Sequence, residues 1–447
     1  MYGNMPLHRM FIKCAVPGII AQFIWAVCSI TDGIFVGQEL GSDALAAVNM
    51  AWPLVMIVTA IAEMVASGAM VRISMCLGDG DEHTARVIFT NSNIVILAIS
   101  FIVMLVAVPF AEPIMYTLGA NDVIADMGAK YLQVFAIFMP LNLLFFSSDN
   151  FLRVCGKVNF SMYVNVAVAA LNIILDVLFL IVWNMDMWAA ALATSISISI
   201  GSVVMILPFL RKKLVLYAER GKVSLSTWGN ILYNGSSDFF TSVSGSIFMV
   251  FTNWMVMMIS GPLAVSAFGI MMYVHEIMTS VMLGMSYALT PAISYNHGAG
   301  NGKRVAGISE LLFGYAILMA IGTAAIVLLF SGPLVSVFID NDPALMEMSK
   351  AGMQIFGFSY LFSWITVITV GIATAVNRPK SSLILGALSQ VIFPVGFMLL
   401  LSGFGLTGVW WSMTVAAVVS SLFAFVSVMQ MKRDKVFTMH DPVVTDL

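Results

Sequence analysis

Apolar runs of about twenty residues or more, separated by short charged or Gly/Pro/Asn-rich punctuation, fill almost the whole chain. A hydrocarbon core about 30 Å thick takes roughly 20 helical residues to cross. The runs supply twelve such spans, at 11–36, 44–72, 88–116, 124–150, 159–183, 187–210, 229–258, 264–292, 307–337, 345–374, 382–402 and 405–430. Several exceed the minimum, so tilt or extension beyond the bilayer is expected. The apolar run after His8, Arg9 and Lys13 continues past Asp32, longer than a secretory signal core, and reads as the first span.

The pattern repeats after 220 residues. Gly41, Ala44, Ala47, Ser74, Gly78 and Gly80 recur as Gly261, Ala264, Ala267, Ser294, Gly298 and Gly300. Phe110, Pro113, Asn121, Asp122 and Lys130 recur as Phe330, Pro333, Asn341, Asp342 and Lys350. Six spans per copy bring both copies in from the same side, which makes the repeat parallel. The expected fold is an all-α membrane protein of twelve transmembrane helices, as two six-helix bundles related by a pseudo-two-fold axis along the membrane normal. The expected organisation is a cytoplasmic tail 1–10, an N-lobe 11–210, a cytoplasmic linker 211–228, a C-lobe 229–430 and a cytoplasmic tail 431–447. Leu214, Leu216, Val223 and Leu225 alternate with polar residues in the linker, which suits a segment lying along the membrane surface.

Composition agrees with the pattern, at 60% hydrophobic and 10% charged residues with mean hydropathy +0.98, outside the soluble globular range. Of the 20 lysines and arginines, only Lys130 and Lys350 fall on the side opposite the rest. The positive-inside rule then places both termini in the cytoplasm, with the plasma (inner) membrane as the expected location. Cys14, Cys28, Cys76 and Cys155 lack metal or disulfide spacing and read as small buried hydrophobes. No nucleic-acid partner and no cofactor are expected, and a monomer among membrane lipids is the simplest state.

Ionisable groups inside spans are costly and usually line a cavity or relay. Asp32 and Asp176 both lie roughly 12–15 Å below the outer border at 1.5 Å per residue. Asn172 is one turn from Asp176 on the same face, and Thr194 shares that depth on the next span. These oxygens suit a hard monovalent cation such as Na⁺. The two carboxyls equally suit a shared proton, or hydrogen bonding as helix glue. Glu63, Asp238, His275 with Glu276, Met255 and Phe138 are candidates for a substrate cavity. A carboxylate attracts cations, flexible thioethers accept varied apolar shapes, and ring faces bind cations. Asp149 sits one turn before Arg153, as an i,i+4 ion pair. The sequence "HEIMT" at 275–279 misses the second histidine of a zinc motif.

The segments "ITDGIFVGQELGSDALAAVNM", "LNIILDVLFL" with the later "AALAT", and "PAISYNHGAGN" resemble the multidrug and toxic compound extrusion (MATE) transporters, nearest their bacterial DinF-like branch. The similarity runs over essentially the whole chain. It implies that Asp32, Asn172, Asp176 and Thr194 form the cation or proton site of the N-lobe. It also implies secondary active efflux of small cationic amphipathic compounds in exchange for H⁺ or Na⁺, by alternating access of two lobes. Gln390 stands where many relatives carry arginine, and Thr252 stands at the repeat position of Asp32, which favours coupling through the N-lobe. A lipid-linked precursor flippase would need a cationic cavity, which the boundary placement of Lys and Arg disfavours. A channel fits two repeated lobes less well than alternating access does. An intramembrane enzyme lacks a usable catalytic constellation.

Overall fold

The computed structural model describes residues 2–339 and 342–438. Asp340, the repeat position Asn341 and the tail residues 439–447 lie outside them, as do the side chains of Glu39 and Asp43. Helices account for the spans, and no strand occurs among the described residues. The first repeat holds α1 (Leu7–Glu39), α2 (Gly41–Asp79), α3 (Glu82–Thr117), α4 (Asp122–Val154), α5 (Val158–Asp176, continued as a π turn Val177–Val182) and α6 (Trp188–Leu210). In the second, one continuous run from Leu225 to Gly298 is divided by Gly261 at φ 74°, ψ −165°, giving α7 (225–260) and α8 (262–298). There follow α9 (Gly302–Ser336), α10 (Pro343–Gly357 and Tyr360–Ala375), α11 (Pro379–Ala387, a π turn Leu388–Ile392, Phe393–Leu401) and α12 (Gly405–Arg433).

Several of the repeated residues begin or end helices. Gly80 and Gly300 adopt φ of 88° and 66°, a left-handed C-terminal turn in which glycine avoids the Cβ clash. Asp81 and Asn301 then cap the following helices by accepting from Thr84 N (2.9 Å) and Arg304 N (3.2 Å). Asn121 caps α4 through Ile124 N at 2.9 Å, whereas α10 is capped by Asp342 through Leu345 N at 3.0 Å. The cap of α10 has therefore moved one position along the repeat.

The chain forms two compact units among the described residues, one comprising Ile20–Phe239 with Tyr2 and Gly3, the other Asn4–Ile19 with the chain from Phe240 to Thr438. Both limits fall inside the first helix of a repeat, and they too are 220 residues apart. Within the first unit α4 packs on α2, α3 and α6, and α5 on α6. Phe89 stacks on Phe209 (5.0 Å) and meets Phe151 edge-on (5.1 Å) in its core. Within the second unit α10 packs on α9 and α12, and α11 on α12. Phe268 stacks on Trp410 there, at 6.1 Å.

The unit limits follow from two close helix crossings. In the first unit α7 crosses α2 so tightly that a Cβ on Gly235 would stand 1.8 Å from Met64 O, and one on Gly68 2.0 Å from Ile231 O. In the second unit α1 crosses α8, where a Cβ on Gly18 would meet Ala288 Cβ at 2.4 Å and Gly284 O at 2.5 Å. Small residues let helix backbones touch, which is the main way helices associate without a hydrophobic force between them.

Two local features depart from uniform spans. α10 bends by 55° between its two parts without a proline. Phe358 and Ser359 donate to Ile355 O and Phe356 O, a tighter i→i+3 winding. Gly357 meanwhile presses on Leu328 and Val327 of α9. The linker is also shorter than the alternation implied, because α7 already begins at Leu225, where the Ser224 hydroxyl accepts from Thr227 N at 3.1 Å.

The remaining linker is strapped to α3. The Arg86 guanidinium lies 4.3 Å over the Tyr217 ring and Lys212 Nζ 5.4 Å from it. Arg86 Nε donates to Val215 O (2.9 Å), Asn91 Nδ2 to Gly221 O (3.1 Å) and Glu219 N to Thr90 Oγ1 (2.9 Å). Tyr217→Ala removes a cation–π contact of about 1 kcal/mol, so trypsin should cut at Lys212, Lys213, Arg220 or Lys222 roughly five-fold faster. An unchanged cleavage rate would refute this docking.

Candidate functional site

Asp32, Asn172, Asp176 and Thr194, which lie on α1, α5 and α6, come together inside the first unit. The carboxyls of Asp32 and Asp176 face each other within hydrogen-bonding reach. Asn172 Nδ2 donates to Asp176 Oδ2 (3.1 Å) and to Thr194 Oγ1 (3.3 Å). Thr194 in turn donates to Ala190 O at 3.1 Å. Asp176 and Asn172 are 2% and 3% exposed.

The local sequence explains the convergence. Asn172 and Asp176 are separated by one helical turn and share a face. The α helix then widens into the π turn Val177–Val182, a distortion that often accompanies functional side chains. Its counterpart in the second repeat is placed differently, at Leu388–Ile392.

One further residue belongs to the site, and another lies near it. Cys28, one turn before Asp32, donates its thiol to Asn172 Oδ1 at 2.8 Å. The buried Tyr131 of α4 stands close enough to feel the charge of both aspartates. Neither is evident from the sequence, because a buried cysteine or tyrosine in an apolar run reads as packing. The repeat carries a trace of them, since their counterparts are Phe248 and Ala351.

Two carboxylates in contact repel each other when both are ionised in a poorly solvated place, so a proton or a cation belongs between them. Asp32 Oδ1 is buried and has no hydrogen-bond partner, which leaves one acceptor open. Asn172 turns its amide nitrogen to Asp176 and Thr194 and its oxygen to Cys28, so the oxygens at the gap are the two carboxyls and the Thr194 hydroxyl, a set that takes a proton as it stands and a hard cation if the Asn172 amide turns over.

The other candidates lie apart from this cluster. Glu63 and Asp238 sit together beside the α2–α7 crossing, where Glu63 accepts from Asn150 Nδ2 at 3.2 Å and feels the charge of Asp238. Asp149 forms its ion pair with Arg153 and also accepts from Ser161 and from Asn165 Nδ2 (3.0 Å). Phe138 is a half-buried residue of α4. In the second unit, His275 Nδ1 lies 3.1 Å from Tyr360 Oη and its ring meets Phe356 edge-on at 5.1 Å. Glu276 is exposed, pointing away from its neighbour as consecutive helical residues must. Met255 is packed in the apolar core of that unit. Thr279 turns its hydroxyl to His275 O at 2.8 Å, and no metal-binding cluster of His, Cys, Asp or Glu occurs among the described residues.

Comparison with known proteins gives likenesses over nearly the full length. The sequence profile described as MatE matches twice, at residues 17–178 and 239–399. The multidrug export protein MepA of Staphylococcus aureus (strain bovine RF122 / ET3-1) is 24% identical over 432 residues, covering 96% of this chain and 94% of that protein. Among solved structures, the crystal structure of MATE in complex with MaL6 superposes with a TM-score of 0.92 at 20% identity, covering 97% of this chain and 98% of that one. The outward-facing conformation of a multidrug resistance MATE family transporter of the MOP superfamily gives 0.92 at 20% identity, with 97% of each chain covered.

Proposed function

The chain belongs to the MatE family, and from that membership we propose that it is a secondary active efflux transporter whose coupling ion binds at Asp32 and Asp176. The exported compounds are small, cationic and amphipathic, and the exchanged ion is H⁺ or Na⁺. The observation that supports this most directly is the pair of facing carboxyls with one unpartnered buried oxygen, Asp32 Oδ1. Thr194 adds a hydroxyl oxygen, and Cys28 fixes the Asn172 amide that joins it to Asp176.

Ion binding drives transport only if it favours one conformation over another. Swinging a population from 1:99 to 99:1 takes about 5.5 kcal/mol of differential binding. Neutralising one of two facing carboxylates in a low-dielectric site is an effect of that order. The protein works as a monomer in the plasma membrane, with two six-helix lobes and cytoplasmic termini.

The test is transport in liposomes with the pH and Na⁺ gradients imposed separately and a panel of fluorescent cations as cargo. One of the two gradients is expected to drive accumulation against the cargo gradient by about ten-fold or more, the equivalent of 1.4 kcal/mol. Passive equilibration under both gradients would indicate a channel and sink the reading.

A further inference from the structure

The α2–α7 crossing of the first unit carries two carboxyls that its counterpart lacks. Glu63 and Asp238 correspond through the repeat to Leu283 and Gly18, which flank the α1–α8 crossing in the second unit. In that second crossing the close backbone approach is between Gly18 and Ile19 on α1 and Gly284 and Ala288 on α8. Close packing of these helices therefore does not require acid groups. Their presence in one copy only calls for a different account.

The surroundings of the pair are apolar on one side and incompletely satisfied on the other. Ala62, Val65, Ala66 and Leu143 form a buried cluster beside Glu63. Asn150 Nδ2 gives Glu63 one hydrogen bond, at 3.2 Å. Ser67, 5% exposed, turns its hydroxyl toward Asp238 at the edge of hydrogen-bonding geometry. The charges that reach Glu63 are Asp238, Asp149 and Arg153. Arg153 is engaged by Asp149, and their opposite charges offset each other at Glu63. Two carboxyls with mutual repulsion, one amide donor and one loosely held hydroxyl form a site short of one positive charge.

We propose that Glu63 and Asp238 together hold one exchangeable proton, a second ionisable site in the first unit, separate from Asp32 and Asp176. A proton suits it better than a metal ion. Asn150 presents its amide nitrogen to Glu63 rather than its oxygen, a donor that suits a carboxyl sharing a proton and not a hard cation, which takes oxygens. One carboxyl carries the proton and the other the charge, while α2 and α7 remain in backbone contact. Proton binding here is measurable whether or not the chain exports anything, so its failure and failure of the transport reading are separate results.

Infrared spectroscopy of the full-length protein in lipid, titrated with acid in Na⁺-free buffer and then with Na⁺ at fixed pH, tests this. The wild type should show a protonated-carboxyl band that falls as pH rises. In Glu63→Gln and in Asp238→Asn that band should lose the intensity of one carboxyl per chain. The Asp32→Asn/Asp176→Asn double variant should retain that component. Ser67→Ala keeps both carboxyls and the helix packing, so it guards against misfolding of the other variants; in it the midpoint of the band should move. An unchanged band in Glu63→Gln and Asp238→Asn, an unmoved midpoint in Ser67→Ala, or a component that follows Na⁺ at constant pH would overturn the proposal.

Discussion

Asp176→Asn should abolish ion-driven export while leaving the protein folded in the membrane. Asparagine has the shape of aspartate and can still face Asn172, so the packing of α5 on α6 survives. What disappears is one of the two charges that hold the coupling ion. Breaking a buried charge pair from one side costs about 3–5 kcal/mol, which corresponds to a fall in coupled flux of roughly a hundred-fold or more. Asp32→Asn should act alike, since its Oδ1 is the open acceptor. The measurement is efflux of a fluorescent cation from energised vesicles, normalised to the amount of monodisperse protein. Undiminished export in both variants would remove the site from the mechanism.

The second large effect is on stability. Gly235→Leu should prevent the protein from accumulating, and Gly235→Ala should lower its stability by about 3 kcal/mol, the upper end of overpacking penalties. The reason is that the first added carbon falls 1.8 Å from Met64 O and 2.7 Å from Met64 C. Those are backbone atoms of α2, which cannot rotate aside as a side chain can. Gly245→Ala, ten residues along α7 with nothing within 4 Å, is the control. It should be neutral or slightly stabilising, because alanine restricts the unfolded chain. Thermal unfolding in detergent reads both, and a melting temperature of Gly235→Ala equal to the wild type would refute the crossing.

The contrast between those two glycines shows what a single sequence can convey. Span lengths follow from the thickness of a bilayer, so α1 to α12 appear as apolar runs. The 220-residue register is visible because Gly80/Gly300 and Asp81/Asn301 perform the same chemistry at the same turns. Asp32, Asn172, Asp176 and Thr194 stand out as polar groups where polarity is costly. Cys28 and Tyr131 do not, because their types are ordinary in a core and only their neighbours make them part of a polar cluster. Gly235 and Gly245 look alike in the chain, and the approach of another helix distinguishes them. The 55° bend of α10 is hidden for the same reason, since no proline announces it and the pressure on Gly357 comes from α9.

The transfer of half a helix at Ile19/Ile20 and again at Phe239/Phe240 bears on how such a chain folds and on what it descends from. The second helix of each repeat is covered by the opening half of the other repeat's first helix, at Gly68/Gly235 and at Gly18/Gly284. One copy alone thus lacks its own lid and leaves a bare glycine face in lipid. Two identical copies complete each other by reciprocal exchange, as in a swapped dimer. Joining them in one polypeptide replaces a second-order encounter by a tethered one, at the millimolar effective concentration of a short linker. The linker strapped along α3 supplies that tether.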